Sequence, residues 1–269
     1  MSNNSIKAVN ITAGYGEETI LDSINMAIPE NKISVILGSN GSGKSTMLKT
    51  FCRLLCPKNG SITLNDKSLT TIKNKEIAKT ISLLPQDSIA PSGISVAELV
   101  ARGRFPYRKF MTPLSKADYK AIADAMEAMK INELADKSVD ELSGGQRQRV
   151  FIALALAQET DILFLDEPTT YLDIAYQIEI LDLLKDLNQK KKITIVMVLH
   201  DINLSSKYAD YIFAMKKGHL IKEGAPEKII TPETIKEIYG LDSMVITDPV
   251  SNSPLIIPIS SHDLISNIS

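Results

Sequence analysis

A chain of 269 residues can hold one large domain or two small ones with an ample core. Its 44% hydrophobic and 23% charged residues are ordinary for a soluble globular protein, and a formal charge of −2 argues against bulk electrostatic binding of nucleic acid. No apolar run approaches the ~18 residues of a membrane span. The first five residues lack the basic and apolar segments of a signal peptide, so a cytoplasmic protein is expected.

Residues 6–11 and 20–28 alternate apolar and polar side chains, which predicts antiparallel, half-exposed strands. Between them, Gly14-Tyr15-Gly16 holds an aromatic on a turn. Tyr15 is a core aromatic, a loop residue or, beside a nucleotide, a platform for an adenine ring. Residues 33–37 form a short β-branched run that reads as a buried strand, and residues 46–55 carry the mixed pattern of a helix. The loop between them, Gly38, Ser39, Asn40, Gly41, Ser42, Gly43, Lys44 and Ser45, matches the phosphate-binding pattern G-x-x-x-x-G-K-[ST] at every fixed position. Glycines allow backbone N–H groups to turn inward on phosphates, and the helix N-terminus that opens at Thr46 adds a positive dipole end. Lys44 would reach the β- and γ-phosphates, and the Ser45 hydroxyl would hold Mg²⁺. A Gly/Ser loop that merely caps a helix has the same composition, so further motifs have to decide. Cys52 and Cys56, four apart, lack the partners of a metal site and read as small packing residues.

A strand at 61–64, a short helix at 74–79 and a strand at 81–84 follow, ending at Pro85-Gln86. From 87 to 158 helical patterns dominate, which predicts a helical insertion in a sheet domain. Residues 95–104 read as one helix. Ser115 and Asp118 form a capping box that opens another, with Tyr119, Ile122, Met126 and Met129 spaced as its apolar stripe. Leu142-Ser143-Gly144-Gly145-Gln146 opens a third; Ser143 is its N-cap, and two glycines leave its first N–H groups approachable as a second anion site. An ordinary capped helix explains Ser143 but not two adjacent glycines followed by Gln146.

Residues 162–165 and 193–199 are continuous apolar runs, as parallel strands covered on both faces require, and a helix at 174–187 joins them. Asp166 and Glu167 stand at the end of the first of these strands, where ligands bind in open α/β sheets. Beside a phosphate loop, one carboxylate there can hold Mg²⁺ and the next can polarise water; without one, Asp-Glu-Pro is only a turn. A hairpin at 211–223, two short helices near 226–230 and 233–239, and a proline-interrupted tail from 242 complete the chain.

Residues 38–45, 142–146 and 162–168, with Gln86 and His200, together resemble the ATP-binding cassette (ABC) ATPases in order and spacing over nearly the whole chain. The resemblance implies an α/β P-loop NTPase cassette with a mostly parallel core sheet, an N-terminal antiparallel β-subdomain and a helical subdomain inserted at about 87–158. Residues 1–241 would form one nucleotide-binding domain, with 242–269 as a tail. It further implies a head-to-tail homodimer around two ATP molecules, the phosphate loop of one copy facing Ser143, Gly144, Gly145 and Gln146 of the other. By motif match, Lys44 binds phosphate, Ser45 and Asp166 serve Mg²⁺, and Glu167 is the catalytic base. Gln86 contacts the metal or the attacking water and reports nucleotide state to the helical block. His200 bridges the γ-phosphate and Glu167, and Tyr15 matches the adenine-stacking aromatic. Asp173 would reach across the dimer, cap the following helix, or do both, and Asp201 is a cap. Thr170-Tyr171-Leu172-Asp173 departs from the family, which more often has small residues before Leu-Asp.

Residues 101–107, 169–177 and 248–258 resemble the importer ATPases for iron–siderophore, haem and cobalamin compounds. The cations and aromatics at 102–110 form either a nucleic-acid surface or, in a near-neutral chain, a solvated face docking a membrane subunit. The expectation is an ATP-hydrolysing subunit, with ATP and Mg²⁺ as cofactors, on the cytoplasmic face of the membrane. It would power iron–siderophore uptake through separate permease subunits served by a substrate-binding protein, with no nucleic acid involved. Another metal, haem or cobalamin importer, or a soluble cluster-assembly ATPase, is the alternative.

Overall fold

A computed structural model describes residues 5–109 and 112–260. Residues 1–4, Phe110 of the cation–aromatic stretch and the polar end of the tail at 261–269 lie outside the described residues. The chain runs through β1 (Ile6–Ala13), β2 (Leu21–Ile28) and β3 (Ile33–Gly38) into α1 (Lys44–Phe51). β4 (Asn59–Leu64), β5 (Lys67–Ser68), α2 (Asn74–Thr80) and β6 (Ile81–Leu84) follow. The helical segment comprises α3 (Val96–Ala101), α4 (Lys116–Ala128) and α5 (Gly144–Leu156). β7 (Ile162–Asp166), α6 (Ile174–Lys191), β8 (Thr194–Val198), α7 (Ile202–Tyr208), β9 (Tyr211–Lys216) and β10 (His219–Gly224) return to the sheet. α8 (Pro226–Ile229), α9 (Pro232–Tyr239), β11 (Ser243–Thr247) and β12 (Pro254–Pro258) end the described chain.

The continuous apolar runs become the middle of a six-stranded sheet ordered β10-β9-β3-β8-β7-β6. β9, β3, β8, β7 and β6 are parallel, and β10 pairs antiparallel at the edge. Every residue of β3, β7 and β8 is buried, because helices or a second sheet cover both faces. Alternate side chains serve two cores. Ile36, Phe164, Val196 and Phe213 pack with Met47 and Phe51 of α1 and with the antiparallel sheet β2-β1-β4-β5. Leu37, Leu165, Ile195 and Met197 pack with α5, α6 and the helical segment. The half-exposed alternation expected at the start of the chain is thus the inner and outer faces of β1 and β2.

Several local expectations need correction. The first helix ends at Phe51 rather than 55, because Arg53 takes a left-handed φ of 56° and donates from its guanidinium to the Leu69 and Ile72 carbonyls. The single helix expected over 95–104 stops at Ala101 and tightens into a 3₁₀ turn over Arg102–Tyr107. That turn swings Arg104 inward. Far from sitting on a solvated face, Arg104 is 3% exposed. Its Nε donates to Asp118 Oδ1 at 2.8 Å, and its Nη1 donates to Glu159 Oε2 at 2.7 Å and to the Ala157 carbonyl at 2.8 Å. The capping box at Ser115 and Asp118 forms as expected, but Tyr119 is exposed. Asp118, turned toward Arg104, takes the stripe's N-terminal end, and Ala121 and Ala125 join Ile122, Met126 and Met129 beneath. Cys52 is half-buried against the core, whereas Cys56 is exposed. The first part of the tail is a β11–β12 hairpin docked on α7, where Ile256 N–H donates to Asn203 Oδ1 at 2.7 Å.

The Arg104 cluster ties the helical segment together. Arg104→Ala should lower unfolding free energy by about 3–5 kcal/mol in chemical denaturation, since it leaves the Asp118 carboxylate buried without its cation. The Ser115 hydroxyl, followed by Arg104, holds the Asp118 carboxyl down at about 2. A folded-state pKa below the unfolded value means this stabilisation is complete above about pH 4 and is lost as pH falls through about 2. Asp118→Asn should therefore be less stable at neutral pH and lose less stability on acidification, measured by melting temperature against pH.

Candidate nucleotide-binding site

Because β3, β8, β7 and β6 are neighbours and run parallel, the residues just beyond their carboxyl ends meet along one edge. That edge carries the phosphate loop after β3, Asp166-Glu167 at the end of β7, His200 after β8 and Gln86 after β6. A cavity of about 590 Å³ opens there. Asn40, Gly41, Ser42, Gly43, Lys44, Ser45, Thr46, Gln86, Glu167 and His200 all line it. Gly38 and Ser39 form the loop's base, and Asp166 stands behind Ser45.

The loop is shaped for an anion. Gly43 precedes α1 with a left-handed φ of 97°, and a Cβ there would lie 2.6 Å from Leu21 Cδ2. No side chain caps α1, so its first N–H groups face the cavity edge. Lys44 folds back over the loop, its Nζ donating to the Gly38 carbonyl at 2.8 Å and to the Ser39 carbonyl at 3.1 Å. Burial pushes the Lys44 ammonium down, and the nearby Glu167 and Asp166 carboxylates counter this. Burial pushes the Asp166 carboxyl up, opposed by the Ser45 hydroxyl, which donates to Asp166 Oδ1 at 2.9 Å.

Glu167 is held from three sides. Gln86 Nε2 donates to Oε2 at 2.7 Å and Thr170 Oγ1 to Oε2 at 3.1 Å, and His200 Nε2 lies 2.6 Å from Oε1. The backbone at Glu167 is itself left-handed, with φ 54°, a sparsely populated state for a residue with a Cβ.

Other expected residues sit apart from this cavity. Tyr15 is 47% exposed and does not line it, although Glu18 and Ile20 from the same loop do. Ser143 and Gln146 cap each other in a full capping box at the start of α5. Gly144 is exposed, while Gly145 is buried where a Cβ would lie 2.8 Å from the Tyr176 ring, so close packing explains the second glycine. Asp173 occupies the N-cap position of α6, yet its side chain makes no capping bond and stays exposed. Asp201 does cap α7, accepting from Leu204 N–H at 2.8 Å. Residue-by-residue reading missed Thr170, Tyr171, Glu18 and Ile20 as cavity residues. Thr170 alone had a local signal, since it follows Glu167 by one turn.

Residues 21–170 match the model of the ABC transporter family. This chain belongs to the ABC transporter family. It is 46% identical over 254 residues to the ferric enterobactin transport ATP-binding protein FepC of Escherichia coli (strain K12), covering 94% of each chain. It is 44% identical over 264 residues to the iron(3+)-hydroxamate import ATP-binding protein FhuC of Bacillus subtilis (strain 168), covering 98% of this chain and 97% of that one. Among solved structures it resembles the dimeric bacterial ABC transporter cassette MJ0796, with a TM-score of 0.72 and 32% identity over 82% of this chain and 98% of that one. As a cassette of this family it is an ATPase.

The buried Lys44 cation tests the site's purpose. Lys44→Ala should weaken ATP binding by roughly 10- to 100-fold, the value of a charge-assisted hydrogen bond of about 1.5–3 kcal/mol. Titration with a fluorescent ATP analogue measures it, and wild-type affinity would contradict the placement of the phosphates.

Proposed function

We propose that this chain is the ATP-hydrolysing subunit of an importer for an iron–siderophore-type compound, bound to separate membrane subunits at the cytoplasmic face. The observation that carries the cargo class is near full-length identity above 40% to import ATPases named for ferric enterobactin and for iron hydroxamates. Those two relatives differ in compound yet are almost equally similar, so the cassette speaks to iron chelates as a class. Among the described residues no helix is long and apolar enough to cross a membrane, which leaves the transport path to other chains.

In the hydrolytic step, Lys44 and the α1 N-terminus bind the β- and γ-phosphates. Glu167 takes a proton from the attacking water, and His200, anchored on Oε1, holds that carboxylate against the γ-phosphate. Ser45 Oγ and Asp166 Oδ1 are hard oxygen donors, and a carboxyl pushed up by burial gains most from a cation, so these residues fit Mg²⁺ shared with the phosphates. When bound, Mg²⁺ neutralises phosphate charge. Gln86 leads from Glu167 into the helical segment and carries nucleotide state outward.

The second copy completes each site. Ser143, Gly144, Gly145, Gln146 and the uncommitted carboxylate of Asp173 would reach the nucleotide held by the partner, and Tyr15 would stack on its own adenine. The dimeric cassette at 32% identity supports this arrangement. An apolar groove of about 650 Å³ lies between α2 and the 3₁₀ turn, lined by Asn74, Lys75, Ala78, Phe105, Pro106, Arg108 and Lys109. Phe105 is 80% exposed there. This groove is the surface for a membrane subunit, and a substrate-binding protein would act on the far side.

Two experiments test the proposal. Glu167→Gln should bind ATP with near wild-type affinity and lose turnover by at least ~100-fold, the scale of general-base catalysis. Tagged protein recovered from its own cells in gentle detergent should bring a many-spanning membrane protein with it. Soluble partners alone, across repeated preparations, would overturn the importer assignment.

A further inference from the structure

We propose that Thr170 is a positioning residue for hydrolysis, tethering the Glu167 carboxylate to its own loop and leaving Oε1 as the atom that takes the proton. The inference rests on Glu167 as the base. A carboxylate offers about four acceptor sites, and its terminal torsion is broad, so donors rather than rotamer preference decide which oxygen faces the water. Gln86 and Thr170 occupy two sites on Oε2, and His200 Nε2 lies 2.6 Å from Oε1. Oε2 is therefore saturated, and the remaining acceptors lie on Oε1 beside His200.

The two donors to Oε2 differ in what they are attached to. Gln86 lies 81 residues from Glu167 in the chain and opens the helical segment, so its bond spans two parts of the fold. Thr170 lies three residues away, in the turn that its own N–H closes on the Glu167 carbonyl at 3.3 Å. Left-handed residues bracket that turn, Glu167 at φ 54° and Tyr171 at φ 64°. Such conformations persist where surrounding contacts over-determine them. The hydroxyl bond is one of those contacts, and it lies within the turn itself, independent of where the helical segment places Gln86. Thr170 is half-buried on the cavity wall, near enough to act on the base.

The test is steady-state ATP hydrolysis by the full chain. Thr170→Val keeps the shape and removes the hydroxyl; kcat should fall roughly tenfold, equivalent to ~1.4 kcal/mol of barrier, with KM for ATP within about twofold. Thr170→Ser should restore kcat to within about twofold of wild type. Thr170→Ala provides the same hydroxyl deletion should the valine variant fold poorly. Wild-type kcat in the hydroxyl-deleted chain overturns the proposal, as does a serine variant no better than the valine one, which would mean that Thr170 only packs. Glu167→Gln run alongside separates the two levels: full turnover there removes the base itself, whereas an inactive Glu167→Gln beside an unimpaired Thr170→Val removes only the tether.

Discussion

The chemistry of this protein depends on the parallel pairing of β3, β8, β7 and β6. Parallel strands end at the same edge, so four segments far apart in sequence bring a phosphate loop, Glu167, His200 and Gln86 to one cavity, with Asp166 behind Ser45. The pairing is possible because the strands are mostly apolar and β3, β7 and β8 are buried along their whole length. A polar residue inside β7 or β8 would weaken the core and displace Glu167 or His200 together.

Electrostatics at that edge favour a highly charged ligand. A buried ammonium pushed down and a buried carboxyl pushed up are groups whose charges lack full solvation. Nucleotide phosphates, with the cation proposed to share them, would supply the missing partners. Glu167 differs: Gln86 and Thr170 donate to its Oε2 while His200 Nε2 lies 2.6 Å from Oε1, an arrangement that would suit the base proposed above.

Motifs whose residues act through local backbone geometry were legible in the sequence. The phosphate loop, the capping box at Ser115, the N-cap at Ser143 and the buried runs around 162–165 and 193–199 all appear where patterning places them, although the reciprocal bond from Gln146 at Ser143 was not foreseen. What escaped depends on contacts distant in the chain. Arg104 looks like a surface cation until Asp118 and Glu159 are seen beside it, and its burial is what breaks the helix expected over 95–104. Tyr119 has the right spacing for the core, yet its neighbour Asp118 takes the inward direction to meet Arg104. Gly145 shows the opposite limit: its type was visible, but the reason, the Tyr176 ring from α6, was not.

Ser143, Gln146 and Asp173 are well formed or exposed in the single chain and line none of its nucleotide cavity, so the account requires a second copy to give them a purpose. The most direct measurement is the solution mass of the Glu167→Gln chain with and without saturating ATP. Twice the single-chain mass with ATP, falling back to one chain when nucleotide is removed, is the predicted result. A chain that binds ATP fully and stays monomeric would contradict the shared-site account at its centre.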